Sequence, residues 1–187
     1  AGNVGIQIHQ VSPIRANQTV WTLGVQEVIM FGKMFLEGKF DATRIIALTG
    51  AELEQPKYIK TFLGCSITDV LKGNLKNENA RIVSGDVLSG KQVDLNGFLS
   101  FKDDQITALK EGNEYELFGW LLPLSPRPSI SGTFPKFLIQ DHKFEAETNT
   151  HGEKRAMVVT GQYEEVLPVD THPQHLFKAI LGNDLER

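Results

Sequence analysis

Few residues in this chain combine the type and the spacing that chemistry requires. His172 and His175 stand three apart at a predicted helix start, with Asp170 nearby. Two imidazoles one helical turn apart can face a single ion, and zinc favours such donors. A structural zinc site takes four ligands, and no spacing supplies the third. The plainer reading, an exposed first helical turn, is the one adopted. Cys65 precedes Ser66, a residue type that caps helices. A helix N-terminus lowers a thiol pKa and favours the reactive thiolate. No partner base stands at a recognisable spacing, and free cysteine is among the most buried residue types, so a packed structural thiol is expected.

Gly2 and Gly5, followed by His9, form a short glycine-rich start. Such a loop cradles phosphate only between a strand and a helix N-terminus, and here a strand is predicted after the glycines. Neither G-x-G-x-x-G nor a Walker pattern occurs, which argues against a nucleotide site wholly inside the chain. Ser84-Gly85-Asp86 and Ser89-Gly90-Lys91 look like nucleophile turns, but neither fits G-x-S-x-G, and both read as loop chemistry. The apolar segments Phe118–Pro123 and Phe134–Leu138 could line a lipid-facing or quinone-facing surface. Quinones are flat and apolar, so aromatic walls suit them. Phe118, Trp120 and Phe134 are therefore the candidate quinone or partner contacts, although such segments are more often interior. The sequence assigns no catalytic, cofactor-binding or metal-ligating residue.

The elements that would position these groups follow from pattern. Val4, Ile6 and Ile8 alternate with polar residues and predict a short strand within 2–13. Thr22 can cap a following helix, on which Val25, Val28, Ile29, Gly32, Phe35 and Leu36 fall at helical spacing. Met30, Phe31 and Met34 make its other faces apolar, which predicts burial on several sides, and Gly38 is a natural stop. Residues 44–49 and 57–63 read as strands around a loop at 50–56. Ser66 and Asp69 have capping-box spacing and start a short helix that Gly73 ends. Residues 81–84 form another strand. Hairpin, helix and strand in that order suggest a small β-grasp unit. Residues 98–101 and 106–109 read as strands flanking an Asp103-Asp104 turn, and 115–122 as a strongly apolar strand. Pro123, Pro126 and Pro128 mark a linker over 123–129, and 141–155 is a polar loop. Residues 156–159 and 163–169 are strand candidates, and Thr171 can cap a last helix carrying Leu176, Phe177 and Ile180.

Two packing centres are expected: one on the first helix around Val28, Ile29, Phe35 and Leu36, partly exposed if its domain is cut, and one around Ile45, Ala47, Ile59, Val70 and Ile82. Arg44 is expected near the junction between them.

Composition narrows the function. The 187 residues carry 41% hydrophobic and 22% charged side chains, ordinary for a globular chain able to bury a core. A net charge of −4 offers no electrostatic reason to bind nucleic acid or anionic lipid. No apolar run approaches the ~20 residues that span a bilayer. The start lacks a signal-peptide pattern, and both ends read as cuts within a longer protein. One cysteine rules out an internal disulfide, and equally a thiolate-ligated iron–sulfur cluster or zinc site built from this chain alone. Pattern alone thus gives an α+β protein with no visible catalytic machinery.

A resemblance goes further. Gly2-x-x-Gly5-x-x-Ile8-His9 with Ser12-Pro13-Ile14 resembles a stretch in the A subunit of the Na⁺-translocating NADH:quinone reductases (the NQR complex). So do Val28-Ile29 with Gly32, Phe35-Leu36 and Gly38, and Ile82-Val83-Ser84-Gly85 with Val87-Leu88-Ser89-Gly90. Glu116-Leu117-Phe118-Gly119-Trp120 and Gly161-x-Tyr163-Glu164-x-Val166-x-Pro168-x-Asp170 continue the match in order. The resemblance implies the end of a Rossmann-like domain over 1–41, a β-grasp (SLBB, ubiquitin-like) domain with a following hairpin over 42–122, and a linker and C-terminal region with a terminal helix over 123–187. It also implies a relative of the flavin-binding subunit of respiratory complex I that has lost the iron–sulfur ligands. In such a complex NADH is oxidised, ubiquinone or menaquinone reduced and Na⁺ exported. FAD, FMN, riboflavin and the iron–sulfur centre would sit on other subunits. The chain would be a cofactor-free, peripheral subunit on the cytoplasmic side of the bacterial inner membrane, beside a membrane subunit, with a structural or quinone-binding role. Two other readings stand beside it. One is a stand-alone β-grasp module for small ligands or saccharides. The other, a self-sufficient flavin or NADH oxidoreductase, conflicts with the missing phosphate loop.

Overall fold

The computed structural model describes residues 3–114, 144–151 and 156–184. They fall into two compact units, one drawn from 29–153 and the other from 1–28 and 154–187. The predicted strand at 115–122 and linker at 123–129 lie outside the described residues.

The larger unit is built on a mixed five-stranded sheet. β1 (Thr43–Thr49) and β2 (Lys57–Phe62) form the predicted antiparallel hairpin, with Ile46 opposite Ile59. β3 (Arg81–Ser84) pairs antiparallel with β4 (Lys91–Val93), a strand that pattern did not reveal. β5 (Gln105–Leu109) lies parallel to β1 and antiparallel to β3, giving the order β2-β1-β5-β3-β4. Between β2 and β3 runs a short helix, Ile67–Leu71, here numbered with the two helices that precede it as α3. Ser66 caps it as its spacing predicts, its Oγ accepting from the Asp69 N–H at 3.3 Å. Gly73, at φ +68°, turns the chain away.

Ile46 and Leu48 of β1, Ile82 of β3, and Ile106 and Ala108 of β5 all lie on one sheet face. With Leu53, Leu99, Ile67 and Leu71 they form one buried cluster. Ile59 and Val70 pack against it as expected, and so does Cys65. Ile45 does not: it is 56% exposed. Residues 45–48 are all apolar, so alternation leaves the phase of the strand open. Turning Arg44 to solvent would bury Ile45 and Ala47. The fold does the reverse. Arg44 is buried, its Nη2 donates to the Phe101 carbonyl at 2.8 Å, and its Nε lies 3.3 Å from Asp104 Oδ1. A partnered guanidinium can share the interior face, and this sets Ile46 and Leu48 inward.

Residues 98–101 are not a strand. Their backbone runs along the start of α3, where the Leu99 N–H donates to the Cys65 carbonyl at 3.0 Å, and Leu99 enters the core. Their apolar spacing reports a buried side chain rather than a ladder.

The helix preceding the sheet, α2 (Val25–Glu37), forms as predicted and stops at Gly38, φ +66°. It begins beyond Thr22, with the Gly24 carbonyl accepting from Val28. It holds no buried residue; Phe35 and Leu36 are 82% and 88% exposed. The expected packing centre around Val28, Ile29, Phe35 and Leu36 is therefore absent among the described residues. Periodicity reports an apolar surface, but burial also needs a surface to face it.

In the smaller unit the predicted N-terminal strand is a helix, α1 (Val4–Val11). Asn3 caps it, accepting from the Gly5 N–H at 2.9 Å. Val4, Ile8 and Val11 fit helical spacing as well as Val4, Ile6 and Ile8 fit alternation, and the cap decides for the helix. Neither predicted strand near the other end forms. Residues 156–160 are irregular, and 162–166 make a short helix, α4 (Gln162–Val166). Its apolar residues meet the last helix, α5 (Pro173–Gly182), through Tyr163 and Phe177, whose rings pack edge-on at 6.3 Å. The N-cap of α5 is His172, not Thr171, because Pro173 at the first turn needs no N–H partner. Gln174 is fully buried, accepting from the Thr160 N–H at 2.8 Å and donating to Thr160 Oγ1 at 3.1 Å.

Candidate functional site

Two groupings of polar side chains stand out, one in each unit. The first lies where β3, β5 and β1 end together. Ser84 Oγ donates to Asp103 Oδ2 at 2.6 Å and accepts from the Ser100 N–H at 3.0 Å. Thr107 Oγ1 donates to the Gly85 carbonyl at 2.9 Å, and Gln105 Nε2 donates to Thr49 and Thr107 at 3.1 and 2.9 Å. Ser84 is fully buried and its proton is committed to Asp103, so it presents no nucleophile to a substrate.

The loop beyond is just as tightly held. Asp86 Oδ1 accepts from the N–H groups of Leu88 at 2.7 Å and Ser89 at 2.9 Å, and Oδ2 from Ser89 Oγ at 2.7 Å. The Ser89 hydroxyl first, then these backbone donors, holds the Asp86 carboxyl below its ordinary range. A Cβ on Gly90 would lie 2.5 Å from the Asp86 and Ser84 carbonyls, so only glycine closes this turn. The two motifs that resemble nucleophile elbows are thus one self-satisfied turn, as loop chemistry predicts.

The second grouping is on α5. His172 and His175 pack edge-on at 6.1 Å along an open cleft of about 550 Å³, which Leu176, Lys178 and Asp184 also line. Asp170 is not part of that wall. Among the described residues no group of three or more histidine, cysteine, aspartate or glutamate side chains is placed to hold a metal ion. Phe118, Trp120 and Phe134 lie outside the described residues. Among the described residues, no helix is long and apolar enough to cross a membrane.

Neither grouping assembles a nucleophile, a base and an open substrate position, so the comparison with known proteins carries the assignment. Residues 1–40 match the family model of the NqrA second alpha/beta domain, and residues 45–94 that of the NQRA C-terminal domain. The chain is 41% identical over 187 residues to the A subunit of the Na(+)-translocating NADH-quinone reductase of Alcanivorax borkumensis, covering 100% of this chain and 42% of that protein. Against the same subunit from Serratia proteamaculans it is 40% identical over 185 residues, 98% of this chain and 41% of the relative. The chain belongs to the NqrA family. Within it, the first match covers α1 and α2, and the second covers β1 through β4 with α3. The chain spans about 42% of the length of the curated relatives it matches.

Proposed function

We propose that the chain is part of the NqrA subunit of a Na⁺-translocating NADH:quinone reductase, where it serves a structural or quinone-associated role without a redox cofactor of its own. The observation that carries this reading is 38–41% identity along the whole chain to proteins of that name. In this reading the chain is peripheral, on the cytoplasmic side of the bacterial inner membrane, and docks on the flavin-bearing and membrane subunits. FAD, FMN, riboflavin and the iron–sulfur centre belong to those partners. The order β1, β2, α3, β3 supports a β-grasp domain over 42–122, and α1 with α2 would close a Rossmann-like domain ending near residue 41. Residues 123–187 would form the C-terminal region. Phe118, Trp120 and Phe134 remain the proposed quinone or partner contacts, on the argument that a flat apolar ring needs aromatic walls.

The test is to tag the natural full-length protein and purify it from membranes. The reading expects flavin-bearing and membrane subunits to co-purify, with Na⁺-stimulated NADH:quinone activity that is lost when the gene is deleted. Recovery of the protein by itself, with activity intact in the deletion strain, would sink it. For the contact residues, a photoreactive quinone should label the complex within 118–134. Trp120→Ala with Phe118→Ala should cut that labelling about tenfold while assembly persists; unchanged labelling rejects the assignment.

A further inference from the structure

We infer that β2 is a docking strand, and that it takes an extended segment of another protein whose side chains alternate between apolar and acidic. In the sheet order β2 is an edge, pairing with β1 alone. Its backbone phase is determined by one hydrogen bond: the Leu63 N–H donates to the Ala42 carbonyl at 2.9 Å. In an antiparallel ladder, alternate residues turn both polar groups toward the same neighbour. Leu63, Thr61, Ile59 and Lys57 therefore face β1, and the Ala47 N–H, directed away from β2 to the Asp104 carbonyl at 2.9 Å, agrees with that phase. Tyr58 and Lys60 thus direct both N–H and C=O outward, and Phe62 directs its N–H outward.

The same three residues share one sheet face. Tyr58 is 80% and Phe62 66% exposed. An incoming strand would find backbone partners and two aromatic side chains together, the combination that gives strand addition its affinity and its selectivity. Charge selects the occupant. β2 carries Lys57 and Lys60 and no carboxylate, in a chain of net charge −4. A second copy paired antiparallel on this edge would set lysines against lysines, whereas an acidic strand would pair with them. Edge lysines also deter random aggregation, which is compatible with a reserved partner.

The proposed assembly bears on this inference only for the identity of the partner, so the first experiment uses the isolated full-length protein. The probe is a fluorescein-labelled hexapeptide of alternating valine and glutamate. Lys60→Pro removes an outward N–H and leaves the β1 ladder intact, because proline is tolerated on an edge. It should weaken binding at least tenfold with thermal melting unchanged, as should Lys57→Glu with Lys60→Glu. Lys60→Arg should bind within about twofold of the parent. A probe N-methylated on alternate residues should fail to bind. Absence of probe binding, or full binding to the Lys60→Pro protein, overturns the inference. So does a dimer that Lys60→Pro dissociates, because the occupant would then be a second copy. In the assembled complex, amide exchange over 57–63 should slow at least tenfold relative to the isolated protein; equal rates reject docking there. Failure of the complex to assemble would count against the proposed function, while the peptide result would still decide this one.

Discussion

Ser84 Oγ and Asp103 Oδ2 lie 2.6 Å apart, although 19 residues separate them in sequence. The contact ties the end of β3 to the turn that launches β5, and the Ser100 N–H completes the hydroxyl's bonding. It is the point where the family's Ser84-Gly85 motif becomes structural.

Replacing Ser84 with Ala should therefore cost about 1–3 kcal/mol, because it leaves a half-buried carboxylate and a backbone N–H without their partner. Urea unfolding of the full-length protein measures this. A loss below a few tenths of a kcal/mol would mean that water substitutes for the hydroxyl.

Three glycines should respond in opposite directions to substitution by Ala. At Gly50, φ +110°, a Cβ would overlap the Ala108 carbonyl, and at Gly90 it would lie 2.5 Å from two carbonyls. Both substitutions should destabilise by about 3 kcal/mol through backbone strain. Gly32 lies inside α2 with nothing within 4 Å of a Cβ, and Gly32→Ala should stabilise that helix by about 0.5–1 kcal/mol. Paired melting curves decide; equal effects at all three would contradict the geometry.

The phase of β1 is open to a direct comparison. Ile46→Ala removes a fully buried side chain and should cost about 2–5 kcal/mol. Ile45→Ala should change stability by about 0.5 kcal/mol or less, as exposed positions do. Reversal of that order would restore the inward Ile45 that alternation suggested.

Glu111 gives a pH prediction. The Arg81 guanidinium donates to it through Nε at 2.7 Å and Nη2 at 2.5 Å, holding its carboxyl below the ordinary glutamate range, and Thr148 adds a bond at 2.9 Å. A depressed folded-state pKa contributes stability above the unfolded value and loses it as pH falls through the folded value. The melting temperature of the parent should thus exceed that of Glu111→Gln at neutral pH, and the gap should close as pH drops below the usual carboxylate range. The pair is partly exposed, so the gap should be small and should shrink with salt. A gap that widens in acid would refute the pairing.

Much of the fold was legible because local chemistry specifies it. Ser66 with Asp69 marked the start of α3, Gly38 and Gly73 marked helix ends, and β-rich runs marked β1, β2, β3 and β5. Residues 4–11 and 163–169 misled because short apolar runs satisfy both periods, and a cap or a packing partner breaks the tie. The candidate site was less legible. The spacing of His172 and His175 correctly placed both on one helical turn, but whether a cleft beside them gathers further ligands depends on residues far along the chain.

From sequence alone came the family, carried by ordered motifs along the whole chain, and the absence of any thiolate cluster, carried by a single cysteine. Those are properties of residue type and order, which do not depend on packing. Only the tertiary structure decided which face of β1 is inside, because burying Arg44 requires the Phe101 carbonyl and Asp104, brought to it by the return of β5. Only it joined Ser84 to Asp103, and left the Tyr58 and Lys60 backbone facing outward at a sheet edge. Strand order and register are long-range choices, made by the free energy of the assembled core rather than by any local preference.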